Sequence, residues 1–374
     1  MKKNLIVIIN IVMGILTCNA DGVYEERGLL YELDGDTAKI IGHKQSWVSG
    51  VGVFGPGYAV APDSVFVDSR SDEHCKRYIV TSVEISKNSD YYKGSYPRYV
   101  YARGLGGLPE TIYIILPSTV RRIGEKAIRE NHHLDRIEMP GVEYIGDEAV
   151  AENGLLADPI ELRRLEILGK RGFQGCWKLT EIRFGQRLRR IGANAFEGCV
   201  GLRTVDICSP DVWSKVEFET ELSNPIALSG HFNVFGNEVR HLDIDVRKGK
   251  VSPYAFRKSR NLRSVRVRNA ARVGRSAFDS CVNVKDICLD VDSIDDRAFA
   301  DIKDVRRIYV MREEPPQLSP TAFSDYDDVR VYVPRGSLAR YKESEYSWRL
   351  FRYIRESDFS EVEERFRADY DEVP

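Results

Sequence analysis

Apolar residues recur along this chain in a nine-residue pattern: apolar-x-x-apolar-Gly-x-x-Ala-Phe. It is clearest at 120–128, 142–150, 165–173 and 188–196, and returns more loosely at 248–256, 270–278, 291–299 and 315–323. Successive starts are 22, 23, 23, 60, 22, 21 and 24 residues apart. The 60-residue step hides a degenerate or expanded unit between Phe196 and Lys248. A second pattern, Cys/Asn-x-x-Leu-x-x-Ile-x-apolar, follows the first at 176–184, 199–207 and 281–289, and in shortened form at 261–267. Its closing Ile-x-apolar alternates with period two, which predicts a short strand with one face inward.

A unit of about 22 residues cannot bury both its strand face and its Ala-Phe corner alone, so neighbouring units must stack into a continuous core. Alanine suits the place where two turns approach closely, and phenylalanine fills the interior beyond it. The glycine after the second apolar position suits a tight corner that needs unusual backbone angles. Cys176, Cys199 and Cys281 occupy one repeat corner, where Asn131 and Asn153 stand in other copies. They are expected to be free thiols facing the interior. Cys75, Cys208 and Cys288 lie off this ladder, and their pairing stays open.

The pattern resembles the BspA-like leucine-rich repeats of bacterial surface proteins. The resemblance covers Tyr78 to Glu356 and includes the corner Ala195-Phe196-Glu197-Gly198-Cys199. The segment from Val331 to Tyr341, followed by Trp348, looks like that family's C-terminal cap, and residues 28–41 look like its opening hairpin with a turn at Asp34-Gly35. The resemblance implies an α/β, β-rich, right-handed leucine-rich-repeat solenoid with short helical corners, an N-terminal β-hairpin region and a C-terminal cap. The organisation expected is a signal peptide at 1–20, an N-terminal β-rich cap region at 21–77, the solenoid with its cap at 78–356, and an acidic tail at 357–374. Members are commonly exported and linked to adhesion. Residues 47–71, 88–109 and 210–237 depart from the repeat; the last resembles an expanded coil seen in some members.

Composition narrows the picture only a little. Apolar residues at 43% and charged residues at 30% suit a folded chain, and 55 basic against 57 acidic residues select no class of partner. Local charge says more. From Arg240 to Arg275 there are twelve basic residues against Asp243 and Asp245, whereas Glu356 to Pro374 holds eight acidic residues against two arginines and reads as a solvated tail. Lys2 and Lys3 precede an apolar run from Leu5 to Leu16, too short to span a bilayer and suited to a signal peptide. Two processing readings stand side by side: cleavage after Cys18-Asn19-Ala20, or a lipobox at Ile15-Leu16-Thr17-Cys18 with Cys18 as lipid anchor.

No catalytic set emerges. Gly50 to Gly55 matches a dinucleotide fingerprint, but Pro56-Gly57 follows instead of a helix. The histidines, His132 and His133 included, lack zinc-ligand spacing, and no serine sits in a GxSxG context. No catalytic, cofactor or metal site is therefore expected. The tyrosine-rich stretch 91–101 reads as a hairpin packed on the first coil, with a contact loop as the alternative.

Among the basic residues, register separates two groups. Arg266 and Arg268 point outward from a strand whose neighbours place Asp243 beside Arg266, and Asp245 and Asp290 on either side of Arg268, so these should pair internally. Arg190, Lys250 and Arg272 fall in one column of the second strand, with Lys248 and Arg275 close by and no alignable acidic residue in the next coil. These five are the candidate ligand-binding residues. The function expected is an exported, non-catalytic binding protein presenting a repeat surface to a protein or glycan. Anionic polysaccharide is a further ligand class, nucleic acid is disfavoured, and membrane contact arises only through a lipid anchor. The alternatives are a scaffold subunit of an envelope assembly and an enzyme with a site in the N-terminal region.

Overall fold

The computed structural model describes residues 113–366 without a break and, before them, a set of strands from Ile15–Cys18 to Val100–Tyr101. Most of the glycine-rich stretch 50–55, the tyrosine-rich stretch 91–101, Cys75, residues 1–14 of the export segment and residues 367–374 lie outside the described residues. Cys18 ends a strand paired antiparallel with Tyr24–Glu26. The opening hairpin pairs Leu29–Asp34 with Thr37–Lys44, Asp34 lying opposite Thr37. Two of these strands join the solenoid directly: Tyr58–Val60 runs parallel to Tyr113–Ile115, and Lys76–Val83 to Arg122–Ile123.

Each regular coil contributes three layers. The first is a strand of three to seven residues, as in Ser264–Ala270, Asp286–Val291 and Arg307–Val310. These pair in parallel, Val265 beside Ile287 beside Ile308 beside Val331 beside Ile354, and all five point into the core. The second layer is a two-residue strand such as Arg190–Ile191, whose isoleucine is buried while its arginine faces out. The third is the Ala-Phe corner.

The expected short helical corners do not occur in the regular coils, because the corner backbone is committed elsewhere. Alternate corner N–H groups donate to the following coil: Arg171 to Ala193, Phe173 to Ala195 and Gly175 to Glu197. Two left-handed residues per coil, such as Lys126 and Glu130 or Ser276 and Ser280, turn these groups along the stack. The small helices sit in the expanded coil, the cap and the final segment.

Inside the corners the phenylalanines form a column. Phe256, Phe278, Phe299 and Phe323 stack with ring centroids 5.3, 5.1 and 5.2 Å apart. The repeat glycine serves this stacking rather than unusual backbone angles. Gly146, Gly169 and Gly192 are absent from the positive-φ residues, but a Cβ on Gly169 would lie 2.5 Å from the Gly146 carbonyl carbon, and one on Gly192 2.6 Å from the Lys170 nitrogen. Glycine is present because the preceding coil's backbone passes too close for a side chain.

The expanded coil fills the 60-residue step with two one-turn helices, Pro210–Trp213 and Ile226–Ser229. It leaves the carbonyls of the next corner without a preceding corner to pair with. Trp213 Nε1 donates to the Ala255 carbonyl at 2.7 Å, and Asn224 Nδ2 to those of Tyr254 and Ala255 at 2.6 and 2.9 Å. At the far end Phe351 meets Phe323 edge-on. Buried Tyr341 and Trp348 donate to the Arg312 and Pro316 carbonyls, and Tyr353–Ser357 adds a last parallel strand. The expected C-terminal cap is thus present. The tail expected to be solvated is, in its described part, packed: a turn of helix at Val362–Arg365 lies against the sheet, with Val362 and Phe366 fully buried, because its apolar residues outweigh its acidic composition.

Candidate ligand-binding face

The two-residue strands set the outward positions of the second layer. Lys250 and Arg272 stand opposite each other on adjacent parallel strands, followed in that position by Ser293 and Gln317. Arg190 does not join them. It belongs to the ladder before the expanded coil, opposite Glu217, and donates to Glu219 at 3.1 Å. Glu219 also takes Lys170 at 3.2 Å. The expanded coil places these carboxylates there, and no repeat alignment reaches into that coil.

Arg272 likewise has an acidic neighbour, Asp295 at 3.6 Å. Asp295 occupies the glycine position of its coil, two residues past Ser293, which register sets beside Arg272. Partial burial pushes its carboxyl up, against the pull of Arg272 and with a push from Asp296. Asp296 is held below its ordinary value by the Ser319 and Thr321 hydroxyls, with Arg275 a smaller contributor. Lys248, Lys250 and Arg275 make no ion pair among the described residues. Arg272 and Arg275 line an open groove with Asp295, Asp296, Gln317 and Tyr346. Asp295, Asp296, Gln317 and Tyr346 were not singled out by sequence. Only the departure from glycine at 295 and 319 signals that this edge is different.

The first-layer arginines pair internally as register implies, but the partners of Arg268 change. Asp243 lies opposite Arg266 and Asp245 opposite Arg268. Arg268 Nε reaches diagonally to Asp243 at 2.7 Å instead, and Asp243 is 3.7 Å from Arg266. Burial pushes the Asp243 carboxyl up, and both arginines pull it down. A register irregularity between Val267 and Ala270 turns Asp290 to the Asn269 N–H and to Arg312 rather than to Arg268. Arg266 is further clasped by Glu363, which donates nothing and accepts from both terminal nitrogens.

The thiol ladder is interior and unbridged. Cys176, Cys199 and Cys281 are free and buried, and their Sγ atoms donate to the carbonyls of Val150, Phe173 and Phe256 at 3.4, 3.1 and 3.1 Å. Asn153 does the same through Nδ2, reaching the Ile128 carbonyl one coil back at 2.8 Å, and Asn131 and Asn153 also each donate to the carbonyl three residues earlier in their own coil, Ile128 and Val150. In the coil of Phe256 the ladder residue is Ser259, not Asn261, which bonds to Phe232 and Val239 one coil earlier. Desolvation pushes the thiols of Cys199, Cys281 and Cys288 up to about 12 and that of Cys208 to about 11, the opposite of what a nucleophile needs. Among the described residues no cluster of His, Cys, Asp or Glu is arranged to hold a metal, and no helix is long and apolar enough to cross a membrane.

No curated protein matches the chain. Among solved structures it is similar to the pneumococcal vaccine antigen PcpA, at 14% identity over 90% of this chain and 98% of that one, with a TM-score of 0.39. A leucine-rich cell surface protein from Faecalibacterium prausnitzii A2-165 is 15% identical over 92% and 97%, TM-score 0.38. A leucine-rich-repeat protein from Bacteroides ovatus ATCC 8483 is 18% identical over 89% and 99%, TM-score 0.33. The model of the BspA type leucine-rich repeat region matches residues 108–219 and 233–335 in six copies, more than half of the sequence, and the chain therefore belongs to the BspA-type leucine-rich-repeat family.

Proposed function

We propose that this protein is exported, works by binding rather than catalysis, and presents the outer side of its second strand layer to a protein or glycan. The observation that carries the reading is the row Lys250, Arg272, Ser293 and Gln317, with Arg275 and Tyr346 at its edge. Neighbouring strands lie about 4.8 Å apart, so the row offers hydrogen-bond donors at a regular short spacing along an open groove. Such a row suits an extended ligand carrying repeated hydroxyl or anionic groups. The raised thiol pKa values and the family's generally non-catalytic members support binding over chemistry. Export is supported by the charged start with its short apolar run and by the surface or exported habit typical of the family. An adhesin-like role at the cell surface follows, with Cys18 as lipid anchor in the acylated branch.

The test is an array of matrix proteins, neutral glycans and sulfated glycans, screened at low and high salt with the wild type and with Lys250→Glu/Arg272→Glu. Retention of one ligand class by the wild type, weakened in the double variant, is the expected result. Equal retention of every ligand by both proteins removes the groove from the reading.

A further inference from the structure

The outward side of the first-layer sheet changes character along the stack. At Asp243, Arg266 and Arg268 it is charged and internally paired. At the next coils it is apolar: Cys288 and Tyr309 are buried there, with Tyr332 and Met311 beside them. The chain crosses this patch after its last strand. Val362 and Phe366 bury themselves against it, and the Tyr309 ring meets Phe366 and Phe359 edge-on at 5.8 and 6.4 Å. At the charged border Arg266 Nη1 donates to Glu363 at 2.9 Å. These contacts form a cluster separate from the phenylalanine column.

We infer that this outer patch is a docking surface for an acidic, amphipathic protein segment, and that residues 358–366 are such a segment bound in cis and releasable without unfolding the solenoid. Val362, Glu363 and Phe366 contact the patch and its charged border from a single helical turn and its C-cap, and Phe359 adds a second ring from the turn that precedes it. The helix is a single turn, Val362–Arg365, far too short to persist unsupported, so its order comes from the patch. Phe359 holds a left-handed backbone, φ 58°, a conformation that a non-glycine residue keeps only while its surroundings impose it. The sheet beneath is complete without the segment: its ladder bonds run strand to strand and its inward side chains belong to the main core. A partner segment with two aromatic anchors, an aliphatic one between them and a carboxylate for Arg266 meets the same chemistry and displaces the resident one. This surface is distinct from the Lys250–Arg272 row, and neither reading depends on the other.

The experiment uses the full chain carrying Val362→Asp and Phe366→Asp, with native thiol labelling mapped residue by residue. Release predicts that Cys288 labels roughly tenfold faster or more than in the wild type, while Cys176, Cys199 and Cys281 stay protected, as separable layers open independently. A synthetic peptide of residues 357–366 then restores protection of Cys288 in the variant, and the same peptide with Glu363→Lys does so about tenfold less well. Unchanged Cys288 labelling in the variant overturns the inference, as does labelling of the ladder cysteines together with Cys288. A peptide that leaves Cys288 unprotected overturns the docking surface, and equal protection by both peptides overturns the role of Arg266.

Discussion

Phe278 stacks on Phe299 with ring centroids 5.1 Å apart and planes within 4° of parallel, and on its other side Phe256 lies at 5.3 Å. Each ring thus belongs to two coil interfaces at once. Phe278→Ala removes a fully buried ring from both and is expected to cost about 3–5 kcal/mol, as large-to-small core changes do. Contacts in a solenoid are between neighbours, so hydrogen exchange should rise first in the coils of Phe256 and Phe299 and last near Val120. A uniform rise along the stack would contradict this.

The thiol ladder gives a second expectation. Cys176, Cys199 and Cys281 should react with a thiol reagent only after denaturation, and a peptide map should show none of them in a disulfide. Each is buried, donates to a carbonyl one coil back, and is held by desolvation in its neutral form. Fast labelling of the native protein, or any bridge among the three, would refute the interior assignment.

Gly192→Ala tests the close approach of coils. The added Cβ would lie 2.6 Å from the Lys170 nitrogen, so the coils must separate locally, at a cost of about 1–3 kcal/mol by analogy with overpacking. Gly274 meets the same crowding in the later stack, where a Cβ would lie 2.7 Å from the Val251 carbonyl oxygen, whereas Ser252 and Asp295 hold this repeat position in neighbouring coils, so the tightness varies from coil to coil. A melting temperature equal to that of the wild type would show that the gap is wider than it stands here.

These contrasts mark where sequence was readable. Strand faces, the cysteine ladder and the opposition of Asp243 to Arg266 follow from a period of two within strands and about 22 between them, which any alignment of repeats recovers. Glu217 and Glu219 were not recoverable, because the expanded coil breaks the period that would align them with Arg190. Asp295 was missed for a different reason: it pairs with Arg272 from a turn rather than from the facing strand. The contact of Glu363 with Arg266 joins residues 97 apart, across a return of the chain that no periodicity encodes. The glycine was identified correctly but explained wrongly, since backbone proximity between coils is a property of the stack and not of one unit.

Two double variants separate binding from structure among the basic residues. Lys250→Glu/Arg272→Glu should elute earlier from immobilised heparin and with a flatter salt dependence. Its melting temperature should fall slightly, since Arg272 is exposed and its pair with Asp295 is worth at most about 1 kcal/mol. Arg266→Glu/Arg268→Glu sets new carboxylates against Asp243 and Glu363 and should mainly lower stability. The assignment fails if the second variant is the one that loses retention, or if the wild type elutes at low salt.

Acid should release the returning segment before the solenoid melts. Arg266 beside Glu363 holds its carboxyl below the ordinary value of 4.5, chiefly through their hydrogen bonds. A depressed carboxylate contributes stability that is fully present above its unfolded pKa and lost as pH falls through its folded one. The groups facing it are Arg266, Arg268 and Asp243, with the neutral Cys288 thiol beneath. Asp243 titrates in the opposite sense: burial raises it, so its protonation removes a repulsion with Glu363 and opposes release. Comparison with Glu363→Gln isolates the Glu363 contribution. In the wild type, exchange of the Arg365 and Phe366 amides, which donate to the Glu361 and Val362 carbonyls, should rise relative to the intrinsic rate as pH falls below the ordinary carboxylate value of 4.5 and through the depressed value of Glu363. In Glu363→Gln it should already be raised at neutral pH and change less on acidification. Identical profiles for the two proteins would mean that the Arg266–Glu363 pair does not hold the segment in place.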